Sequence, residues 1–133
     1  MVVKDDKKRD KDIVFNEIKS PKPGVWFHFE VRDRHNKLIG HFETQVDTYN
    51  QERVFTIYKM VIKPGFRRKE YGTKIIIYCE NLAKGKSLGK LLCWVRPFDK
   101  TLSEDELKCF YTKNGFYFEL DRDNLYAIKN LMC

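Results

Sequence analysis

The chain has 133 residues, of which 42% are hydrophobic and 34% charged, and its formal net charge is +7 at pH 7. This length suffices for one domain with one hydrophobic core, and the composition excludes an intrinsically disordered chain. No apolar run approaches the roughly 18 residues of a membrane-spanning helix. The first residues carry mixed charges and no apolar stretch of signal-peptide length, so we expect a cytoplasmic protein without a membrane partner. The positive charge is typical of a solvated lysine-rich surface or of a protein with an anionic partner, and by itself does not choose between them.

The first half of the chain predicts an antiparallel meander. Residues 1–11 are expected to form a charged tail, and residues 12–133 a single domain. Four aromatic or β-branched segments are typical of strands, and they lie at residues 12–19, 25–33, 38–47 and 53–63. Polar or proline-containing segments connect them, at residues 20–24, 34–38 and 48–52.

The second half of the chain predicts helices that alternate with strands. Across residues 71–85 the apolar side chains recur with the period of an amphipathic helix. A strand follows at residues 90–96, and a second helix begins at Ser103, which can form a capping box with Glu106. Asn114-Gly115 ends that helix, and two alternating segments predict a closing hairpin at residues 116–120 and 124–129. The predicted order is β-β-β-β-α-β-α-β-β, an α+β fold.

The four cysteines predict neither a disulfide framework nor a metal site. They form no CxxC pair and lie at no zinc-ligand spacing with the three histidines. Cys79, Cys93 and Cys109 lie in apolar segments and are expected in the core, whereas Cys133 is the last residue and is expected to be exposed.

The turn between the fourth strand and the first helix is basic and contains glycine. Its sequence is KPGFRRKEYGTK, in which Arg67, Arg68 and Lys69 supply positive charge and Gly72 would let an anion approach closely. The N-terminus of a helix presents unpaired backbone N–H groups and the positive end of the helix dipole. Basic strand–turn–helix junctions are nevertheless common, so the local pattern indicates an anion site without requiring one.

Two motifs together point to a family. The segment RRKEYG at residues 67–72 corresponds to a Gln/Arg-x-x-Gly-x-Gly/Ala loop, and YTKNGF at residues 111–116 corresponds to a helical tyrosine followed by Gly-Phe. With these motifs the chain resembles the GCN5-related N-acetyltransferase (GNAT) family over about residues 37 to 129. The resemblance implies a mixed, mostly antiparallel sheet whose central strands splay apart.

The resemblance further implies an enzyme that moves an acetyl group from acetyl-CoA to a primary amine of a protein, a peptide or a small molecule. The pantetheine arm would pair with the fourth strand, and the pyrophosphate would lie on the loop and the helix start. The residues implied at the cosubstrate are Met60, Val61, Ile62, Arg67, Arg68, Lys69, Glu70, Tyr71, Gly72 and Thr73.

The resemblance gives Tyr111 the role of protonating the departing thiolate, and the alternative is a core aromatic residue. A backbone N–H near Val61 would polarise the thioester carbonyl. The fourth strand offers no obvious base, so Glu43 or His41 on the neighbouring strand could act through water, and a solvated strand face is the alternative for both.

Two departures from the family pattern bear on function. Glu70 stands where the loop usually has its first glycine, and a positive φ there would cost roughly 1 kcal/mol or more and weaken cosubstrate binding. The two helices that usually separate the first two strands have no counterpart in residues 20–24. The polar side chains expected on the uncovered sheet face are either solvated or covered by a partner, and a homodimer is one expectation.

Three functional hypotheses follow. The first is an active acyltransferase, and the second is a degenerate module of the same fold that binds CoA weakly or acts through protein contacts. The third, a nucleic-acid binder, is the least favoured, because no stripe of alternating basic and aromatic residues occurs outside the two motifs.

Overall fold

The computed structural model of the chain describes residues 13–18, 26–66, 70–96 and 103–131. Its strands and helices, in chain order, are β1 (Ile13–Ile18), β2 (Trp26–Asp33), β3 (Leu38–Tyr49), β4 (Glu52–Ile62), α1 (Tyr71–Gly85), β5 (Lys90–Trp94), α2 (Glu104–Lys113), β6 (Tyr117–Asp121) and β7 (Asn124–Asn130). A short 3₁₀ turn, Pro64–Phe66, separates β4 from the loop before α1. The predicted tail at residues 1–11 and the predicted connection at residues 20–24 lie outside the described residues.

The strands form one seven-stranded sheet in the order β1-β2-β3-β4-β5-β7-β6. The pair β4–β5 is parallel, and every other neighbouring pair is antiparallel. Parallel neighbours need a crossover connection, and α1 supplies it between β4 and β5. The predicted fold class, a mixed and mostly antiparallel α+β sheet, is confirmed.

One face of the sheet carries the hydrophobic core, and we call it the helix face. Alternation along β2 and β3 turns Phe29 and Phe42 toward this face, where their rings stack with centroids 4.9 Å apart. Tyr78 of α1 stacks on Phe15 of β1 with a centroid distance of 4.0 Å. On α2, Tyr111 belongs to the same buried cluster. Each fully buried aromatic or aliphatic side chain of this kind stabilises the fold by about 1.5–3 kcal/mol.

The turn between β3 and β4 is tighter than the sequence predicts. Instead of a loop at residues 48–52, the strands extend to Tyr49 and Glu52 and leave Asn50 and Gln51 as the turn. Both turn residues have positive φ, 49° and 66°. Two left-handed residues match the right-handed twist of an antiparallel pair, which is why such short turns are compatible with long strands.

The capping box of α2 is present as predicted, and one cysteine prediction is wrong. The Ser103 hydroxyl accepts a hydrogen bond from the backbone N–H of Glu106 at 3.1 Å, and the Glu106 carboxylate accepts one from the backbone N–H of Ser103 at 3.2 Å. Cys109 is exposed rather than in the core. It lies on the outer side of α2, because the next two residues, Phe110 and Tyr111, take the positions toward the sheet.

Candidate functional site

The two central strands part from each other partway along β4. Their parallel register consists of Phe55 with Leu91, Thr56 with Leu92 and Ile57 with Cys93. No described register pair joins the two strands beyond Ile57 and Cys93, although β4 continues to Ile62 along β3. A gap therefore opens between β4 and β5, and its apex lies at the Ile57–Cys93 pair.

A β-bulge marks the same point on β4. In the β3–β4 register Glu43 pairs with Lys59 and Thr44 pairs with Ile57, so Tyr58 is an extra residue on β4. A bulge bends its strand and increases the local twist. Because Tyr58 directly follows the last β5-paired residue, we attribute the parting of the strands to this bulge.

Gly40 holds β3 unusually close to the far end of β4. A Cβ atom on Gly40 would lie 2.1 Å from the carbonyl oxygen of Val61, a backbone atom that a side-chain rotation cannot remove. Gly40 is not among the residues expected at the site, although an isolated glycine within a strand pattern is a known signal of close backbone approach.

The start of α1 has the conformation that the sequence analysis treated as costly. Glu70 is left-handed, with φ 63° and ψ 17°, and its side chain makes no capping hydrogen bond. The backbone N–H of Lys74 donates to the Glu70 carbonyl at 3.1 Å. Tyr71, Gly72 and Thr73 come before Lys74 in the helix. Their backbone N–H groups therefore have no acceptor within the helix itself. Arg67, Arg68 and Lys69 lie outside the described residues.

Gly72 is packed against side chains from two other elements. A Cβ atom there would lie 2.9 Å from Cζ and 3.0 Å from Cε1 of Phe110, and 3.6 Å from Cδ1 of Ile62. The structure thus brings together three expected elements of the cosubstrate site: the end of β4, the start of α1 and the helix with the tyrosine motif.

Tyr111 lies at the apex of the gap but within the core. It is 5% exposed, and its ring packs against Phe110 and Phe116 at centroid distances of 5.2 and 5.3 Å. Cys93, the β5 residue of the last β4–β5 pair, is a close neighbour of this tyrosine. Burial, and to a lesser degree Cys93, raises the pKa of Tyr111 well above its usual value. The phenol therefore remains protonated at neutral pH.

The sheet face opposite the helices is polar, and we call it the polar face. Its side chains form three cross-strand rows on β2, β3 and β4: Trp26–Gln45–Thr56, His28–Glu43–Lys59 and Glu30–His41–Val61. Three buried polar atoms among the described side chains have no hydrogen-bond partner, and all three lie on this face: Nε2 of His28, Nδ1 of His41 and Oγ1 of Thr56.

The two histidines of the polar face are neighbours. Their ring centroids lie 5.7 Å apart in an edge-to-face arrangement. Burial is the largest cause that lowers the pKa of His41, and electrostatic interactions with Lys59 and His28 lower it further. His41 is therefore neutral at neutral pH. Both candidate bases from the sequence analysis, His41 and Glu43, lie on this face beside β4.

A pocket of about 310 Å³ opens on the polar face between β2, β3 and β4, lined by Trp26, Glu43, Gln45 and Tyr58. The Tyr58 hydroxyl donates a short hydrogen bond to the Asp47 carboxylate. Burial and this bond raise the pKa of Tyr58. Gln45 and Asp47 were not expected at the site, although the polar alternation along β3 could have indicated them. The role of Tyr58 was not expected either, because a bulge has no sequence signal here.

The described residues contain no group of three or more His, Cys, Asp or Glu side chains that could hold a metal ion. Neither described helix is both long enough and apolar enough to cross a membrane.

Comparisons with known proteins identify the family. A family model described as an acetyltransferase (GNAT) domain matches residues 25–117. The chain is similar to the PaiA N-acetyltransferase from Thermoplasma acidophilum in complex with coenzyme A, at 20% identity and a TM-score of 0.62, over 80% of this chain and 61% of that chain. It is similar to an acetyltransferase of the GNAT family from Staphylococcus aureus Mu50, at 20% identity and a TM-score of 0.59, over 80% of this chain and 69% of that chain.

A third similar structure is an aminoglycoside 6′-N-acetyltransferase complexed with coenzyme A, at 14% identity and a TM-score of 0.64, over 84% of this chain and 76% of that chain. No curated protein matches the sequence at a significant level. At these identities the solved structures establish a shared fold. The family model covers well over half of the chain, and both motifs, at residues 67–72 and 111–116, lie inside the matched range. The chain therefore belongs to the GNAT acetyltransferase family.

Proposed function

We propose that the protein is an N-acyltransferase that binds acetyl-CoA and transfers its acetyl group to a primary amine. The observation that carries the proposal is the gap between β4 and β5, which opens at the Tyr58 bulge. An extended pantetheine arm can lie beside Met60, Val61 and Ile62 in the manner of an added strand. Two similar proteins of known structure hold coenzyme A.

The proposed pyrophosphate position is the start of α1. The N–H groups of Tyr71, Gly72 and Thr73 and the positive end of the helix dipole favour an anion there. In the sequence Arg67, Arg68 and Lys69 precede this helix and add positive charge. Glu70 carries a negative charge at the same place and is expected to weaken the interaction.

The proposed reaction needs a neutral amine, a polarised carbonyl and a protonated leaving group. The ammonium first loses a proton, and its nitrogen then attacks the thioester carbonyl, which the backbone N–H near Val61 would polarise. The C–N bond forms, the C–S bond breaks, and the nitrogen loses its second proton. We propose that Tyr111, protonated and close to the apex of the gap, donates a proton to the departing thiolate and is reprotonated by the second proton that leaves the nitrogen. The net products are an amide, free CoA and one proton.

Calorimetric titration with acetyl-CoA tests the binding step. We expect saturable binding, and the variant Arg67→Ser/Arg68→Ser should bind at least about tenfold more weakly, because charge-assisted contacts to phosphate contribute about 1.5–3 kcal/mol each. The control variant Lys84→Ser/Lys113→Ser removes the same charge from exposed positions elsewhere and should bind like the wild type. Absence of binding at millimolar acetyl-CoA would contradict the proposal.

Turnover of Tyr111→Phe tests the proposed acid. We expect kcat to fall by about 100-fold or more, with the fold and acetyl-CoA affinity retained, since general acid catalysis contributes about 10²–10⁴ in rate. If Tyr111 is only a core aromatic residue, kcat of Tyr111→Phe will equal that of the wild type.

A second candidate function is a non-catalytic module of the same fold. Glu70 favours it, because it brings a negative charge beside the helix N-terminus and holds a left-handed backbone that is strained for a residue other than glycine. Under this alternative neither the wild type nor Glu70→Gly releases CoA in the presence of any amine. A homodimer and a cytoplasmic location remain predictions, as does the division into residues 1–11 and 12–133.

A further inference from the structure

We propose that the pocket lined by Trp26, Glu43, Gln45 and Tyr58 binds the primary alkylammonium end of the acceptor, and that Glu43 contacts its nitrogen. This inference rests on the proposed function and deepens it by assigning the acceptor class and the group that takes its proton.

The chemistry of the pocket walls fits a cation on an aliphatic stem. The rings of Trp26 and Tyr58 can attract an ammonium group through their π faces and pack against methylene groups. The Glu43 carboxylate and the Gln45 amide oxygen are hydrogen-bond acceptors for its N–H groups. At about 310 Å³, the pocket lies at the lower end of the volumes typical of ligand sites, which favours a slender chain over a fused ring system.

Tyr58 connects this pocket with the gap that the thioester would occupy. It is the bulged residue that directly follows the apex of the gap, and it also lines the pocket. The hydrogen bond from its hydroxyl to Asp47 holds the ring in place. An amine in the pocket would thus lie on the polar face beside the strand residues proposed to hold the acetyl group.

A buried polar group without a partner lies in the same cross-strand row as two of the residues that line the pocket. Thr56 is 1% exposed, and its Oγ1 atom has no hydrogen-bond partner among the described residues. It lies directly across from Gln45, in the same row of the polar face as Trp26. A buried hydroxyl without a partner is unfavourable, so a polar ligand atom that reached this row would be stabilised.

The local charge also suits a cation. Glu43 faces Lys59 across the strands, and Asp47 is a second carboxylate that reaches the pocket through Tyr58. Of the four described residues that line the pocket, Glu43 alone is charged, although the whole chain has a net charge of +7. Lys59 competes with an incoming ammonium for Glu43.

In the proposed step, a carboxylate oxygen of Glu43 accepts one proton from the bound ammonium. The nitrogen lone pair then attacks the thioester carbon, and the proton passes from Glu43 to solvent. The carboxylate is regenerated, so no further co-reactant is needed.

Fluorescence of Trp26 tests the pocket without requiring turnover. The chain has two tryptophans, so a Trp94→Phe background leaves Trp26 as the single reporter. We expect saturable quenching by cadaverine or by an acetyl-capped lysine amide, and none by n-pentanol at the same concentration. Saturation by cadaverine alone assigns a free diamine as the source of the ammonium, and saturation by the lysine amide assigns a peptide side chain.

Matched variants then test Glu43 itself. Glu43→Gln should weaken amine binding about tenfold or more and lower kcat/KM across the pH range. Glu17→Gln makes the same change on β1, in the row of Phe29 on the helix face, and should change neither. Lys59→Met should tighten amine binding, and this readout remains if Glu43→Gln does not fold.

Equal quenching by the amines and n-pentanol, or unchanged amine affinity in Glu43→Gln and Lys59→Met, would overturn the inference. Acetyl-CoA binding is measured separately by calorimetry. Acetyl-CoA binding without amine binding refutes the pocket alone, whereas amine binding without acetyl-CoA binding refutes the proposed function.

Discussion

Gly72→Ala distinguishes a packing requirement at the start of α1 from a requirement imposed only by the cosubstrate. The new Cβ atom would lie 2.9 Å from Cζ and 3.0 Å from Cε1 of Phe110. Overpacking of this kind costs about 1–3 kcal/mol. Alanine in place of glycine within a helix returns about 0.5–1 kcal/mol. Because the clashing atoms are the edge of a ring that can shift, we expect a net loss of about 1 kcal/mol in the free energy of unfolding.

Urea denaturation of four proteins measures this effect as a double-mutant cycle. The set comprises the wild type, Gly72→Ala, Phe110→Leu and the double variant. Leucine lacks the ring atoms that would meet the new Cβ, so the alanine should be neutral or stabilising in that background. The expected coupling between the two positions is about 1 kcal/mol, within the range for residues in contact.

One outcome would refute this reasoning. In that outcome, Gly72→Ala raises the free energy of unfolding by the full amount expected for alanine over glycine in a helix. The increase is the same whether position 110 holds phenylalanine or leucine, and Phe110 then does not restrict the site. Gly72 would then be explained by cosubstrate approach alone, and the variant would lose acetyl-CoA affinity without losing stability.

Three further predictions concern other parts of the fold. Gly40→Ala should lower the free energy of unfolding by about 3 kcal/mol or more, because its Cβ would meet the backbone carbonyl of Val61; a denaturation midpoint close to that of the wild type would contradict this. Ser103→Ala should cost about 1 kcal/mol in urea denaturation, and Ser103→Asp should restore most of it if capping is the cause. Burial lowers the pKa of His41 in the folded state, so the unfolded state binds more protons as the pH falls. The free energy of unfolding should therefore decrease as the pH drops from about 7 through about 6.5, the pKa of histidine in the unfolded chain. His41→Gln should flatten that part of the pH profile of the denaturation midpoint, and an unchanged profile would exclude His41 as its source.

The order of elements could be predicted because it depends on local patterns. Alternation along residues 25–33 and 38–47 predicts strands with one apolar face, and the capping box at Ser103 predicts where α2 begins. The structure confirms both within about two residues. The conformation of Asn50 and Gln51 was not predicted, because both residues are compatible with a longer polar loop as well as with a tight turn.

The family also follows from local sequence, since its two motifs are short and contiguous. The residues around the gap do not follow in this way. Gly72 was assigned to the cosubstrate from the motif, but its contact with Phe110 joins residues far apart in sequence. Tyr111 was given two alternative roles, and only the tertiary structure shows that it lies close to Cys93, the β5 residue at the apex of the gap.

The sequence by itself therefore determined the element order, the α+β class and the GNAT resemblance, all of which are encoded in periodicity and short motifs. The tertiary structure alone decided where β4 leaves β5 and which polar side chains surround a pocket. The physical reason is that the bulge at Tyr58 arises from pairing with β3, a register between distant residues that no local pattern records. The same pairing brings Trp26, Glu43 and Tyr58 from three strands to one face of the sheet.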